Sequence, residues 1–280
     1  MINHDPYFES NYNLRERHPD FETYFEQYRE ESEKARHDIP CELDLSYGNG
    51  PNMSLDIFPQ ANGLNPVCLF IHGGYWRAMD KGLFSYPAIG LSNASIVFVS
   101  INYALAPEIS LDGIGEQCRE AVLWVHRNAE NFGGDPNRIH ISGHSAGGHL
   151  TAMMLSTNWS QRGAKDLHLA GGIAISGIFD LVPLIKTSIN DDIKLDRESA
   201  LRNSPINFLP EDCPRLITAV GAGETDEFLR QSREYAKAWQ NKGGQVQFKP
   251  ISGFHHFDII LEMGRIGSEL NDAMITQIYD

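Results

Sequence analysis

Residues Arg138 to Leu150 read RIHISGHSAGGHL, and no other stretch restricts the possible folds as much. Ile139, Ile141 and Ser142 predict a short buried strand. Gly143-His144-Ser145-Ala146-Gly147 predicts a turn, and Met153, Met154 and Leu155 continue a helix that starts behind it. Small residues cluster in many turns, so the G-x-S-x-G spacing says little alone. Set between a strand and a helix, it is the pattern of a nucleophile elbow, which holds one serine hydroxyl above the carboxyl edge of a parallel sheet. Ser145 is therefore the candidate nucleophile. The N–H of Ala146, at the helix start, would face the oxygen of a bound carbonyl, where the helix dipole favours developing negative charge. Neither the dinucleotide pattern G-x-G-x-x-G nor a Walker motif occurs in the chain.

The rest of the chain alternates strand and helix signals. Leu43–Tyr47 and Met53–Phe58, joined by Gly48-Asn49-Gly50-Pro51-Asn52, predict an antiparallel hairpin at a sheet edge. Buried strands are expected at Val67–His72, Ser95–Asn102, Leu169–Ser176, Arg215–Val220 and Val246–Pro250, with helices over Leu111–Phe132, Glu227–Asn241 and the C-terminus. Such alternation specifies an α/β fold, a mostly parallel sheet with right-handed crossovers. Phe21, Tyr24, Phe25 and Tyr28 share one face of a helix in an N-terminal arm spanning residues 1 to about 40. That stripe reads first as core and second as a cover for the active site. Residues 177–209, rich in turn formers, predict a lid or cap of short helices. The chain has no repeats and shows no internal boundary, so one domain over 1–280 is expected.

With 37 acidic against 23 basic residues and a formal net charge of −14, the chain is a poor partner for nucleic acid or an anionic membrane. Its apolar runs are strand length, and its N-terminus lacks a basic start followed by an apolar core, so a cytoplasmic location is expected. The cysteines at 41, 68, 118 and 213 form no C-x-x-C pair and are expected to be reduced. No metal-ligand spacing such as H-E-x-x-H appears.

A serine nucleophile needs a base and a carboxylate to orient that base, in the chain order nucleophile, acid, histidine. After the strand at Arg215–Val220 the choices are Glu224 and Asp226. Glu224 is favoured because it lies nearest the rigid strand end, whereas Asp226 has the ordinary role of an acid in a first helical turn. After the last strand the choices are His255 and His256. His256 is favoured, with Asp258 read as a helix cap. The second half of an oxyanion hole is expected at Gly73 and Gly74 behind His72, itself read as a structural hydrogen-bonder.

The segments HGGYW, GHSAGGHL, NSP, GAGETDEFLRQS and HHFD together resemble the α/β-hydrolase superfamily, in its hormone-sensitive-lipase-like branch and nearest to the kynurenine formamidases (arylformamidases). The resemblance spans nearly the whole chain. It implies an eight-stranded α/β-hydrolase fold, an acid at Glu224 and a base at His256. It also implies cleavage of N-formyl-L-kynurenine to formate and L-kynurenine without a cofactor. Tyr75 and Trp76 then become candidates to stack on an aryl ring, while Arg77 and Asn190 are candidates to read the amino-acid end. The partners implied are a small-molecule substrate and, as a candidate assembly, a homodimer. A carboxylesterase of the same fold, and a binding protein that performs no chemistry, are the competing readings.

Overall fold

The computed structural model describes residues 4–280. Three helices come first: α1 (Pro6–Tyr12), α2 (Leu14–Arg17) and α3 (Phe21–Asp38). The strands β1 (Glu42–Ser46), β2 (Ser54–Phe58) and β3 (Asn65–Ile71) follow, then α4 (Pro87–Asn93), β4 (Val97–Ile101), α5 (Leu111–Asn128) and β5 (Gly134–His144). After them come α6 (Ala146–Leu155), β6 (Leu169–Ile175), α7 (Asn190–Ile193), α8 (Arg197–Arg202), β7 (Arg215–Gly221), α9 (Asp226–Asn241), β8 (Val246–Ile251) and α10 (Glu269–Tyr279).

The strands form one eight-stranded sheet in the order β1-β2-β4-β3-β5-β6-β7-β8. β1 pairs antiparallel with β2, and β2 antiparallel with β4; every other pairing is parallel. The edge hairpin therefore exists in the register Leu45 to Leu55 and Ser46 to Ser54, and a local irregularity lies between Glu42 and Leu45.

Strand periodicity sends alternate side chains to opposite faces, and both faces are apolar, as a parallel sheet buried on both sides requires. Val67, Leu69, Ile71, Val97, Val99, Ile139 and Ile141 join a core roofed by α5 and α6. Cys68, Phe70, Phe98, Ile173 and Ile175 join a second core with Tyr28 of α3, Leu91 of α4 and Met274 of α10. α9 lies on the α6 side, where Tyr235 and Trp239 meet Ala152 and Leu155.

Several elements differ from the sequence expectation. α4 was not signalled, because seven residues of small and apolar character (PAIGLSN) carry no amphipathic period. β5 runs for eleven residues, well beyond Ile139–Ser142. The expected helix over 111–132 ends at Asn128 and tightens into a 3₁₀ turn over Ala129–Phe132. Residues 177–209 do form short helices and 3₁₀ turns. No helix of the described residues is long and apolar enough to cross a membrane.

Candidate active site

β5 ends at His144 and α6 begins at Ala146, so Ser145 is the single residue of the turn. Its backbone sits at φ 58°, ψ −118°, a conformation that costs a non-glycine residue roughly 1–3 kcal/mol and must be held by its surroundings. The hold is visible on both sides. Ser145 N–H donates to the Ile175 carbonyl at 2.9 Å, and its own carbonyl accepts from His149 N–H at 3.1 Å. Gly147 explains the small-residue spacing: a Cβ there would stand 1.9 Å from the Ile71 carbonyl oxygen, so the helix could not seat against β3 with any side chain.

The loop after β3 reaches the same point. A Cβ on Gly73 would lie 3.1 Å from Ser145 Cβ and 2.9 Å from the His144 carbonyl oxygen, so the Gly73 backbone stands beside the serine. Gly74 follows at φ 107°, which disfavours any side chain. The first-turn N–H groups of α6, Ala146 foremost, have no partner within the helix. Gly73 and the first turn of α6 thus flank Ser145, and Gly74 lines the same cavity as the serine. His72, fully buried, points away from it. Its Nε2 meets Asn102 Oδ1 at 3.1 Å and its ring stacks on Tyr103 at 4.2 Å, while burial lowers its pKa.

Of the two carboxylates considered, the structure brings Glu224 to the site and leaves Asp226 exposed in the first turn of α9. Glu224 is 7% exposed. Its Oε1 accepts from the Ser176 hydroxyl and, at 2.9 Å, from Gly221 N–H, while Oε2 lies 2.7 Å from His256 Nδ1. Both carboxylate oxygens are thereby fixed. His255 turns the other way, stacking on His18 at 4.3 Å and reaching the Tyr24 hydroxyl at 3.1 Å. Asp258 does not cap the following turn with its side chain, as its sequence position suggested; it accepts from His255 N–H at 2.6 Å and so braces the HHFD turn.

Ser145 and His256 open onto one cavity of about 50 Å³, lined also by Gly74, Tyr75, His144 and Phe257. The N-terminal arm supplies its roof through Tyr12, Arg15, Phe25 and Tyr28, and residue Ile189 comes from the 177–209 segment. The aromatic stripe of α3 is therefore core and cover at once: Phe25 packs on Phe257 at 5.9 Å, and the Tyr28 hydroxyl donates to the Phe257 carbonyl. Tyr75 lines the cavity and donates to the Tyr12 carbonyl at 2.7 Å. Trp76 is fully buried with its ring edge-on to His149 at 5.0 Å, and it is not on the cavity wall. Asn190 is engaged with Leu195, accepting from its N–H at 2.7 Å, whereas Arg77 does line the cavity.

Three contributors went unseen in the sequence. Ser176, at the end of β6, carried no motif. His144, inside the elbow, packs its ring 4.6 Å from that of His256, and burial together with the neighbouring His256 holds its pKa well below the usual value. The third is Tyr12, whose hydroxyl donates to Glu227 Oε2 at 2.7 Å and accepts from Gln231 Nε2 at 2.8 Å. Glu227 and Gln231 belong to the segment E-F-x-R-Q-S, so that motif clamps the arm to the loop that bears Glu224. Gln231 also holds Phe179 N–H and Asp180 N–H, each at 2.7 Å, at the start of the 177–209 segment.

Comparison with known proteins places the chain. Kynurenine formamidase from Salmo salar is 33% identical over 244 residues, covering 84% of this chain and 81% of its own. Its counterpart from Danio rerio is 34% identical over 240 residues, covering 83% and 80%. A solved structure provisionally described as a thioesterase, from Silicibacter sp. TM1040, superposes with a TM-score of 0.79 at 29% identity, covering 92% of this chain and 93% of that one. The BD-FAE family model matches residues 55–238, which contain the Gly73-Gly74 loop, the elbow and Glu224. This chain belongs to the BD-FAE family, and it is a hydrolytic enzyme of the α/β-hydrolase fold.

Proposed function

We propose that this enzyme hydrolyses the formamide of N-formyl-L-kynurenine to formate and L-kynurenine. Ser145 serves as nucleophile, His256 as base and then acid, and Glu224 as the carboxylate that orients His256. The observation that carries the reading is the buried Glu224–His256 pair, which opens into the same cavity as the strained Ser145. The names of the salmon and zebrafish relatives support the choice of substrate.

Because Nδ1 of His256 faces Glu224, Nε2 is the ring nitrogen left to take the serine proton. Ser145 Oγ attacks the formyl carbon, and the carbonyl oxygen becomes an oxyanion that faces the N–H groups of Gly73, Gly74 and Ala146. Each such donor is worth about 3 kcal/mol in the transition state. The tetrahedral intermediate collapses as His256 returns its proton to the aryl nitrogen, which leaves as the amine of L-kynurenine. Water, deprotonated by His256, then attacks the formyl ester and releases formate. A cavity of about 50 Å³ holds only a few water-sized groups, each needing roughly 10–15 Å³. The acyl group sits beside Ser145, and Tyr75, Phe25 and Phe257 on the wall of the same cavity are the aromatic surfaces that the aryl ring would meet.

The test is kcat/KM on N-formyl-L-kynurenine beside 4-nitrophenyl acetate and butyrate. A preference for the formamide of about 100-fold or more, about 2.7 kcal/mol of selective transition-state binding, is expected. Equal or better turnover of the esters would leave the catalytic groups in place and make the enzyme a carboxylesterase.

A further inference from the structure

The chain is strongly acidic, yet two of the side chains on the wall of the active-site cavity are arginines, Arg15 from the arm and Arg77 from the loop after β3. Their situations differ. Arg77 Nη1 is paired with Asp192 Oδ2, and its other guanidinium nitrogens make no hydrogen bond among the described residues. Arg15 makes no ion pair or side-chain hydrogen bond among the described residues. It lies instead with its guanidinium carbon 5.1 Å from the centre of the Phe21 ring and 6.0 Å from that of Phe25. Stacking of this kind fixes the plane of a guanidinium while leaving its N–H edge free. Both arginines line one cavity, and partial burial and then the positive charge of Arg77 lower the pKa of Arg15, whereas Glu22 raises it. Arg15 is exposed to solvent along part of its surface, and its guanidinium edge and the unpaired nitrogens of Arg77 are free to meet an anion that enters the cavity mouth.

We propose that Arg15 and Arg77 form an anion subsite at the mouth of the cavity that binds a carboxylate on the leaving-group side of the substrate, with Arg15 as the residue that determines specificity. The aromatic wall then separates two polar ends, Ser145 with His256 at one and the arginines at the other. Arg15 supplies the planar, two-donor edge that matches a carboxylate, and Arg77 adds charge already partly offset by Asp192. The preferred substrates are accordingly acylated aryl compounds that carry a carboxylate away from the scissile bond. The subsite deepens the formamidase reading, whose substrate has such a carboxylate, but its test does not depend on that reading.

The pair 4-acetoxybenzoate and phenyl acetate shares one acyl group and differs by the charge on the leaving group. The charged-to-neutral ratio of kcat/KM, compared between the parent enzyme and its variants, cancels the difference in leaving-group reactivity. In Arg15→Gln this ratio is expected to fall about fivefold, the loss appearing in KM, as for a partly exposed ion pair. Arg15→Lys should recover part of it, and raising the salt from 50 to 500 mM should shrink the parent ratio but not that of Arg15→Gln. A ratio within twofold of the parent's in Arg15→Gln would overturn the proposal, as would a loss carried by kcat alike on both esters. If N-formyl-L-kynurenine is not a substrate while the ratio still falls, the formamidase reading fails and the subsite stands. If N-formyl-L-kynurenine is turned over while the ratio does not move, the subsite fails and the formamidase reading stands.

Discussion

At the scale of single residues, the site depends on groups that work only in combination. Glu224 has both oxygens committed, and His256 has one nitrogen committed to Glu224, so removing either partner leaves the other without the contact that orients it. Ser145→Ala and His256→Ala should each lower kcat by about 10⁶-fold, and the double variant should be no worse than either single one. Single-turnover kinetics on the three variants would check this; losses that multiply would show that the residues act independently. The elbow at Ser145 was legible in the sequence because its spacing expresses a backbone constraint, seen in the 1.9 Å that separates a Gly147 Cβ from the Ile71 carbonyl oxygen. Trp76, expected with Tyr75 as a candidate to stack on an aryl ring, is buried away from the cavity that Tyr75 lines. Both have positive φ, and the turn they share sends the two rings to different places. Ser176 was illegible, since a lone serine after a strand signals nothing until its partner 48 residues away is known.

At the scale of elements, the parallel strands were readable because burial on both faces makes them continuous apolar runs. The extent of β5 and the existence of α4 were not, since neither has a period that separates it from its neighbours. The arm is the more instructive case. Its stripe gave the helix, but its attachment to α9 rests on Tyr12, Glu227 and Gln231, which are far apart in sequence. Glu227 is 4% exposed, and its negative charge is shared among Tyr12, Tyr7 and Arg230. Burial keeps the Tyr12 hydroxyl protonated and therefore donating. Tyr12→Phe removes that donor and leaves Gln231 without one of its acceptors, at a cost of about 1–3 kcal/mol. Urea denaturation should show the loss of stability, and KM should rise because the loosened arm is the roof of the cavity. A variant as stable as the parent would mean that Arg230 and Tyr7 satisfy Glu227 without Tyr12.

At the scale of the whole molecule, buried neutral histidines set the response to acid. Burial depresses the pKa of His140, which also feels Arg138, to about 4, and burial does the same to His149. Above the unfolded value of about 6.5 neither group distinguishes folded from unfolded chains. Between about 6.5 and about 4 the unfolded chain holds protons that the folded one lacks, so stability falls as pH falls; below about 4 these two groups add nothing further. The loss is up to about 3 kcal/mol for each. Urea midpoints at pH 7.5 and 4.5 should therefore differ, and the double variant His140→Gln with His149→Gln should narrow the gap. An unchanged gap would assign the acid sensitivity to other groups. The same long-range wiring governs when activity can first arise. The bond from Tyr28 to Phe257 joins residues 229 apart, and that from Tyr12 to Glu227 joins residues 215 apart. During synthesis the roof is made before the partners that hold it. A nascent chain carries Ser145 long before it has His256, so the cavity that the two residues share is assembled only after both, and the Glu224–His256 pair with them, have been made.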